Sequence, residues 1–317
     1  LKHAEVSQEF RTYLDSLNFK INNPKQVFNR FKPDLTNLPD LQKFQARDGD
    51  WLSYRYYPQT AKLDNADNIV IMLHGSSGQG EYFNQFARYL SENNIADVYV
   101  PNLRGHYLSG KHRGDCAYIG QIEDDIVDLI NKFAKDNKNI FLLGHSLGGG
   151  LAIRFAGSKY NNIINSYILL APAIPNSPVL KNNHSAGGWS NFNKLRNIAL
   201  IVFNFFGITG LNSLSIVDFN KPASIWNGKE TLTYSYRLAH SLTPRIFGLK
   251  KDLAGLKNKF ILLVGSDDEV CCAQKYAHII KNADESIKIL SQIDHRGIIQ
   301  ASSMFETVKN WILSRKN

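Results

Sequence analysis

Six short apolar or nearly apolar runs punctuate the chain, at 69–73, 98–100, 140–143, 167–171, 260–264 and 287–290. Each is too short for a helix, and such runs read as strands buried on both faces. Between them the spacing turns helical. Residues 81–92 place Phe83, Phe86, Ala87 and Leu90 on one face, and residues 121–134 carry Ile122, Ile126, Leu129, Ile130 and Phe133 along one stripe. Glu123, Asp124 and Asp125 favour the first turn of that second helix. A third helical pattern pairs Leu151 with Phe155, a fourth lies near 272–281, and a C-terminal helix is predicted to bury Met304, Phe305, Val308, Trp311 and Ile312. This alternation predicts an α/β fold, a mostly parallel sheet with helices on both faces. Upstream, residues 41–46 and 51–57 flank Arg47-Asp48-Gly49-Asp50, a hairpin signal that adds an antiparallel N-terminal edge.

Two stretches depart from the alternation. Residues 1–38 are polar with scattered aromatics and read as an N-terminal helical extension. Residues 174–256, about 80 in number, are too long for a connection inside a compact domain and read as an inserted cap. The core is then 39–173 joined to 257–317. The cap holds Trp189, Phe192, Trp226 and the apolar run 198–208 with Phe203, Phe205 and Phe206. That run is too short to span a bilayer. It reads either as the buried side of cap helices or as an acyl-chain pocket or membrane-touching lip.

The candidate chemistry sits where the strand 140–143 runs into Gly144-His145-Ser146-Leu147-Gly148, a G-x-S-x-G elbow followed by a helix. Lifting a serine out of a sheet requires a turn within one residue, and flanking glycines remove the Cβ atoms that would collide. Ser146 then meets free N–H groups at a helix N-terminus. A serine needs a base and the base a carboxylate, in the chain order Ser, Asp, His. The strand 260–264 ends in Asp267, Asp268 and Glu269, of which Asp268 is the preferred acid and Asp267 the alternative. His295, between the last strand and the terminal helix, is the expected base. The oxyanion donors should be the backbone N–H groups of Leu147 and Ser76, with His74 bracing the loop of the latter. His145 should pack beside the site.

Charge and cysteine content add little. Lys plus Arg outnumber Asp plus Glu by 37 to 28, a net +9 that favours anionic surfaces such as phospholipid headgroups. The basic residues are scattered, so no nucleic-acid partner is expected. Three cysteines make no disulfide framework and read as reduced. No cofactor or metal motif is present in the sequence. The chain opens on Leu1 rather than Met, which implies that an N-terminal piece was removed and leaves a cytoplasmic or a membrane-associated location open.

These motifs resemble the α/β-hydrolase superfamily and, within it, the bacterial lysophospholipase and monoacylglycerol-lipase-like group, often called serine aminopeptidase-like. The resemblance runs from about residue 41 to the C-terminus and rests on His74-Gly75, Leu103-Arg104-Gly105-His106, the elbow, Gly265-Ser266-Asp267-Asp268 and His295. It implies a cofactor-free serine hydrolase acting on small-molecule acyl esters; peripheral contact with an anionic membrane is a separate expectation, from the net charge and the apolar run of the cap. The family's Gly-x-x-Asp in the acid loop supports Asp268. Two departures stand out. The family's Asp-x-Arg-Gly-His-Gly reads Asn102-Leu103-Arg104-Gly105-His106-Tyr107, and Arg296 stands where a glycine often follows the base. Arg296 could hold an anionic substrate group or a salt bridge to Asp294, Glu269 or the cap; His74, His145, Phe203 and Phe206 are further candidate substrate contacts. A proline-iminopeptidase-like enzyme is the alternative, although the cap is poor in the acids that would hold a free amine. A non-catalytic lipid- or membrane-binding scaffold is the alternative from another class.

Overall fold

The computed structural model describes residues 32–61, 68–134, 138–181, 188–221, 228–257, 259–280 and 284–315. Most of the expected N-terminal extension, together with Trp226, lies outside these residues.

The central sheet has eight strands in the order β1-β2-β4-β3-β5-β6-β10-β11. β1 (Gln42–Gln45) and β2 (Trp51–Tyr57) form the antiparallel edge, and β2 also runs antiparallel to β4 (Asp97–Pro101). β3 (Asn68–Leu73), β5 (Asn139–His145), β6 (Ser166–Leu170), β10 (Phe260–Gly265) and β11 (Ile287–Leu290) continue it in parallel.

The core splits along the pleat, because successive strand side chains point to opposite faces. Ile69, Ile71, Leu142, Leu262 and Val264 face one cluster, while Val70, Met72, Phe141, Leu143, Ile261 and Leu263 face the other. The second face is covered by α1 (Asn84–Glu92) through Phe86, Ala87 and Leu90, and by Met304, Phe305, Val308 and Ile312 of the C-terminal helix, Ser302–Leu313. α2 (Gln121–Phe133) and α3 (Leu147–Ala156) cover the first.

Some expectations need correction. The helix over 81–92 opens as a 3₁₀ turn, Gly80–Phe83, before α1 begins. The helix near 272–281 shrinks to a 3₁₀ turn, Ala273–Lys275, and one α turn. Its start is held extended, with Cys271 bridged to Leu180 and the Cys272 N–H donating to the Val179 carbonyl at 2.7 Å. Trp311 is only half-buried, and its Nε1–H donates to Ser166 Oγ at 2.9 Å.

Between β6 and β10 the chain builds a separate antiparallel sheet of β7 (Ser190–Phe192), β8 (Ser215–Phe219) and β9 (Thr233–Ser235). α4 (Lys194–Phe205) joins β7 to β8; α5 (Tyr236–Leu242) and α6 (Leu249–Leu256) lead back to β10. The reading of 198–208 as a buried helix side does not hold. α4 buries only Asn197 and Leu200, and Leu195, Phe205 and Phe206 are 83%, 85% and 70% exposed. The face these residues occupy is turned away from the sheet beneath, so their periodicity gave no sign of which side would be covered.

Candidate active site

β5 delivers Ser146 at its C-terminal end, where the backbone adopts φ 54° and ψ −119° before α3 begins. Few non-glycine residues accept a positive φ, and such strain persists only where the surroundings over-determine it. Here they do. A Cβ on Gly144 would lie 2.1 Å from the Gly148 carbonyl oxygen, and one on Gly148 would lie 2.1 Å from that of Leu73. The two glycines therefore serve space rather than dihedral freedom. The Ser146 N–H donates to Leu170 O at 2.9 Å, and its carbonyl accepts from Gly150 and Ala173.

Loops beyond β10 and β11 bring two more groups to this point. Asp268 Oδ2 stands 2.8 Å from His295 Nδ1, and His295 Nε2 stands 2.9 Å from Ser146 Oγ. With Asp268 ionised, Nδ1–H donates to the carboxylate and Nε2 is left to accept the serine proton. Asp268 Oδ1 also accepts from the N–H groups of Val270 and Cys271 at 2.8 and 2.6 Å. Asp267 instead faces solvent and accepts from Ser266. Burial disfavours the His295 cation, but the Asp268 carboxylate outweighs it and raises the imidazole well above its ordinary range. Burial likewise opposes ionisation of Asp268, yet His295 and the two N–H donors hold it below the usual carboxylate value.

His145 packs beside the pair, its Nε2–H donating to the His295 carbonyl at 2.7 Å. Burial, reinforced by neighbouring His295, lowers it to about 3. The carbonyl orients the histidine backbone, as does Glu269, which accepts from His295 N–H at 3.0 Å. Asp268, Cys271 and His295 offer donor atoms within 4.8 Å of one another, the geometry of a hydrogen-bonded acid–imidazole pair with a thiol alongside.

Ser146 and His295 open into a cavity of about 570 Å³ that also reaches Ser76, Leu147, His145 and Arg296. Leu147 opens α3, so its N–H has no intrahelical acceptor. The Ser76 loop runs close by: a Cβ on Gly75 would sit 3.1 Å from Ser146 Cβ. Apolar walls come from Leu180, Phe192, Ile216, Val217 and Leu249. Arg296 stacks its guanidinium over Trp189 at 5.1 Å, and burial lowers its pKa.

Three expected contacts lie elsewhere. His74 is buried behind the loop, its Nδ1–H donating to Gly75 O and its Nε2 accepting from the Leu103 N–H, both at 3.0 Å. It braces that loop and has no face on the cavity. Phe203 and Phe206 belong to the exposed side of α4 and also do not line the cavity. Neither ring lines the cavity, because the buried face of α4 is taken by Asn197 and Leu200.

Sequence reasoning missed Trp189 and Tyr234 as site residues. Trp189 Nε1–H donates to Ser76 Oγ at 2.8 Å, and the Tyr234 hydroxyl meets the Ser77 N–H at 2.7 Å. Both come from the β6–β10 segment, and no local pattern links them to a loop more than a hundred residues upstream. The altered Arg-Gly-His-Tyr loop is held by Arg104, which is buried against Asp48, Asp50 and Asp125. Tyr107, standing where the resemblance calls for glycine, takes φ 44°.

Comparisons with known proteins agree with this architecture. Residues 64–202 match the family described as Serine aminopeptidase, S33. Human monoglyceride lipase is 22% identical over 303 residues, covering 92% of this chain and 96% of that protein. Proline iminopeptidase PfmaB of Pestalotiopsis fici is 23% identical over 276 residues, covering 80% and 93%. The crystal structure of a soluble variant of monoglyceride lipase from Saccharomyces cerevisiae, in complex with a substrate analog, superposes with TM-score 0.64 at 18% identity, covering 91% of this chain and 99% of that one.

Proposed function

We propose that this chain, an α/β hydrolase similar to the monoacylglycerol-lipase-like group, is a serine hydrolase that cleaves carboxyl esters of single-chain lipids, such as monoacylglycerol or lysophospholipid. The observation that carries the reading is the Ser146–His295–Asp268 line of hydrogen bonds, 2.9 and 2.8 Å long, opening into an apolar cavity. Ser146 attacks the ester carbonyl as His295 takes its proton, and the N–H groups of Ser76 and Leu147 receive the developing oxyanion. The imidazolium, stabilised by Asp268, then protonates the leaving alcohol. Water repeats the sequence on the acyl-enzyme.

The acyl specificity is supported by the cavity walls, and the lipid source by their continuation outward. Phe192 and Ile246 line the cavity and are themselves exposed, and one face of α4 shows Leu195, Ile198, Phe205 and Phe206 to solvent. Large apolar side chains exposed together on one helix face suit an interaction site. In the proposed reading it rests on a membrane, with the basic surplus favouring anionic headgroups. No helix among the described residues is long and apolar enough to cross one. The aminopeptidase alternative is less well supported: the buried cap carboxylate Glu230 already faces Lys221, at 4.0 Å.

The test is hydrolysis of p-nitrophenyl esters of rising chain length, of monoacylglycerol and of lysophosphatidylcholine, by the native protein and by Ser146→Ala. The variant should lose at least about 10⁴-fold in kcat, and native kcat/KM should rise with chain length. Turnover by Ser146→Ala at the native rate would overturn the mechanism. A preference for the shortest esters would remove the lipid assignment and keep the triad.

A further inference from the structure

The loop that would carry the Ser76 oxyanion donor is held by side chains at three consecutive residues, two of them reached from the β6–β10 segment. Gly75 O accepts from His74 Nδ1–H, Ser76 Oγ accepts from Trp189 Nε1–H, and the Ser77 N–H donates to the Tyr234 hydroxyl. Resting on the reading of Ser146 as nucleophile, we infer that Tyr234 is a positioning residue for oxyanion stabilisation: its hydroxyl, oriented by His106, fixes the Ser77 N–H and so the backbone that presents the Ser76 donor.

The polarity of this chain follows from its acceptors. Tyr234 Oη lies 2.7 Å from His106 Nε2, while His106 Nδ1 lies 3.1 Å from the Arg104 carbonyl oxygen. A carbonyl only accepts, so the imidazole proton sits on Nδ1 and Nε2 offers a lone pair. The phenol proton therefore points to His106, which leaves the phenol oxygen's lone pairs for the Ser77 N–H. Burial keeps His106 neutral by lowering its pKa well below the ordinary value. It also keeps Tyr234 a phenol. The His74 ring packs edge-on against His106 at 4.8 Å, so both imidazoles that serve this loop share one pocket.

The arrangement matters because Ser77 is buried and holds φ 51°. Without the hydroxyl, a buried N–H in a strained residue loses its acceptor. The backbone then relaxes towards ordinary dihedrals and carries the preceding N–H away from the position of the oxyanion. Tyr234 stands on β9, 157 positions from Ser77, so the segment between β6 and β10 contributes to the alignment of groups that stabilise charge as well as to the cavity wall.

Tyr234→Phe keeps the ring and its edge-on packing against Phe219, at 4.6 Å, and removes only the hydroxyl. For a short p-nitrophenyl ester, kcat should fall roughly 10- to 10²-fold with KM within about twofold. Affinity for a trifluoromethyl ketone, which forms the tetrahedral adduct, should weaken by the same factor. His106→Leu should reproduce the loss, and His106→Asn, which restores an acceptor, should recover part of it. Thermal unfolding separates these effects from loss of fold. Unchanged kcat in Tyr234→Phe, or a loss carried wholly by KM, would overturn the inference while Ser146-dependent turnover of the native protein left the catalytic reading standing. If Ser146→Ala were fully active, both would fall.

Discussion

Two helices, α3 and α4, are both rich in apolar residues and meet opposite fates. Every residue of α3 from Gly148 to Ala156 is buried, packed against the sheet and against α6 so closely that a Cβ on Gly255 would sit 1.9 Å from the Ala156 carbonyl oxygen. α4 buries two residues and turns most of its large side chains outward. The difference teaches that apolar content reports how much surface a segment would rather hide, and only placement says what hides it. For α3 the cover is the protein itself. For α4 the proposed cover is lipid, and the comparison can be broken or sharpened by experiment.

The largest effect is expected at the α3 end, in the group that serves its N-terminal serine. His295 can accept a proton only when neutral, and Asp268 raises its pKa, so activity should climb with pH through a value above 6.5, the ordinary imidazole value. Asp268→Asn removes that lift. The plateau should drop about 10⁴-fold, and the acid limb should move to lower pH, read by the rate of fluorophosphonate labelling. A limb that stayed in place would separate Asp268 from the base. Next is Gly148→Ala, where the new Cβ meets backbone that cannot yield. A shift of about 1 Å in the elbow should lower kcat/KM at least about 10²-fold, with a lower thermal midpoint. Native kinetics would refute the close-packed account of α3.

Substitutions on α4 should act on different observables. Phe205→Ser with Phe206→Ser should leave the thermal midpoint and the turnover of a short soluble ester nearly unchanged. Partition into phospholipid vesicles should weaken by about 1.5–3 kcal/mol for each ring that is buried there. If the double variant bound vesicles as well as the native chain, the membrane assignment of this face would fail. The smallest effect is that of salt. Binding to anionic vesicles should weaken between low and high ionic strength by about 1 kcal/mol for each lysine or arginine near the surface, and binding to neutral vesicles should not. Equal salt response on both would detach the net charge of +9 from membrane contact.

What was legible in the sequence follows from the same contrast. Strands buried on both faces leave continuous apolar runs, and the G-x-S-x-G turn is a local steric requirement, so the sheet and the elbow could be read directly. Asp268 and His295 could be placed because they follow particular strands in order. Their hydrogen bonds, and the choice between Asp268 and Asp267, depend on side-chain direction, which the neighbouring Val270 and Cys271 N–H groups decide. The first-turn acids of α2 were legible as a cluster but not as partners. Glu123 binds Arg154 and Asp125 binds Arg104, pairings made in three dimensions. Tyr234 was hidden for the same reason, since its two partners come from loops after β3 and β4. The exposure of α4 was hidden for the opposite one, that no partner among the described residues covers it.

The site is also ordered in time. Ser146 is synthesised first, and His295 follows it by 149 positions. At about 5–20 residues per second, that separation lasts roughly 7 to 30 s. Throughout that interval the growing chain carries the serine without the imidazole that would take its proton. In the proposed mechanism it is inert towards the lipid it passes. Such a hydrolase is silent during its own synthesis, and its activity switches on with the arrival of one late imidazole.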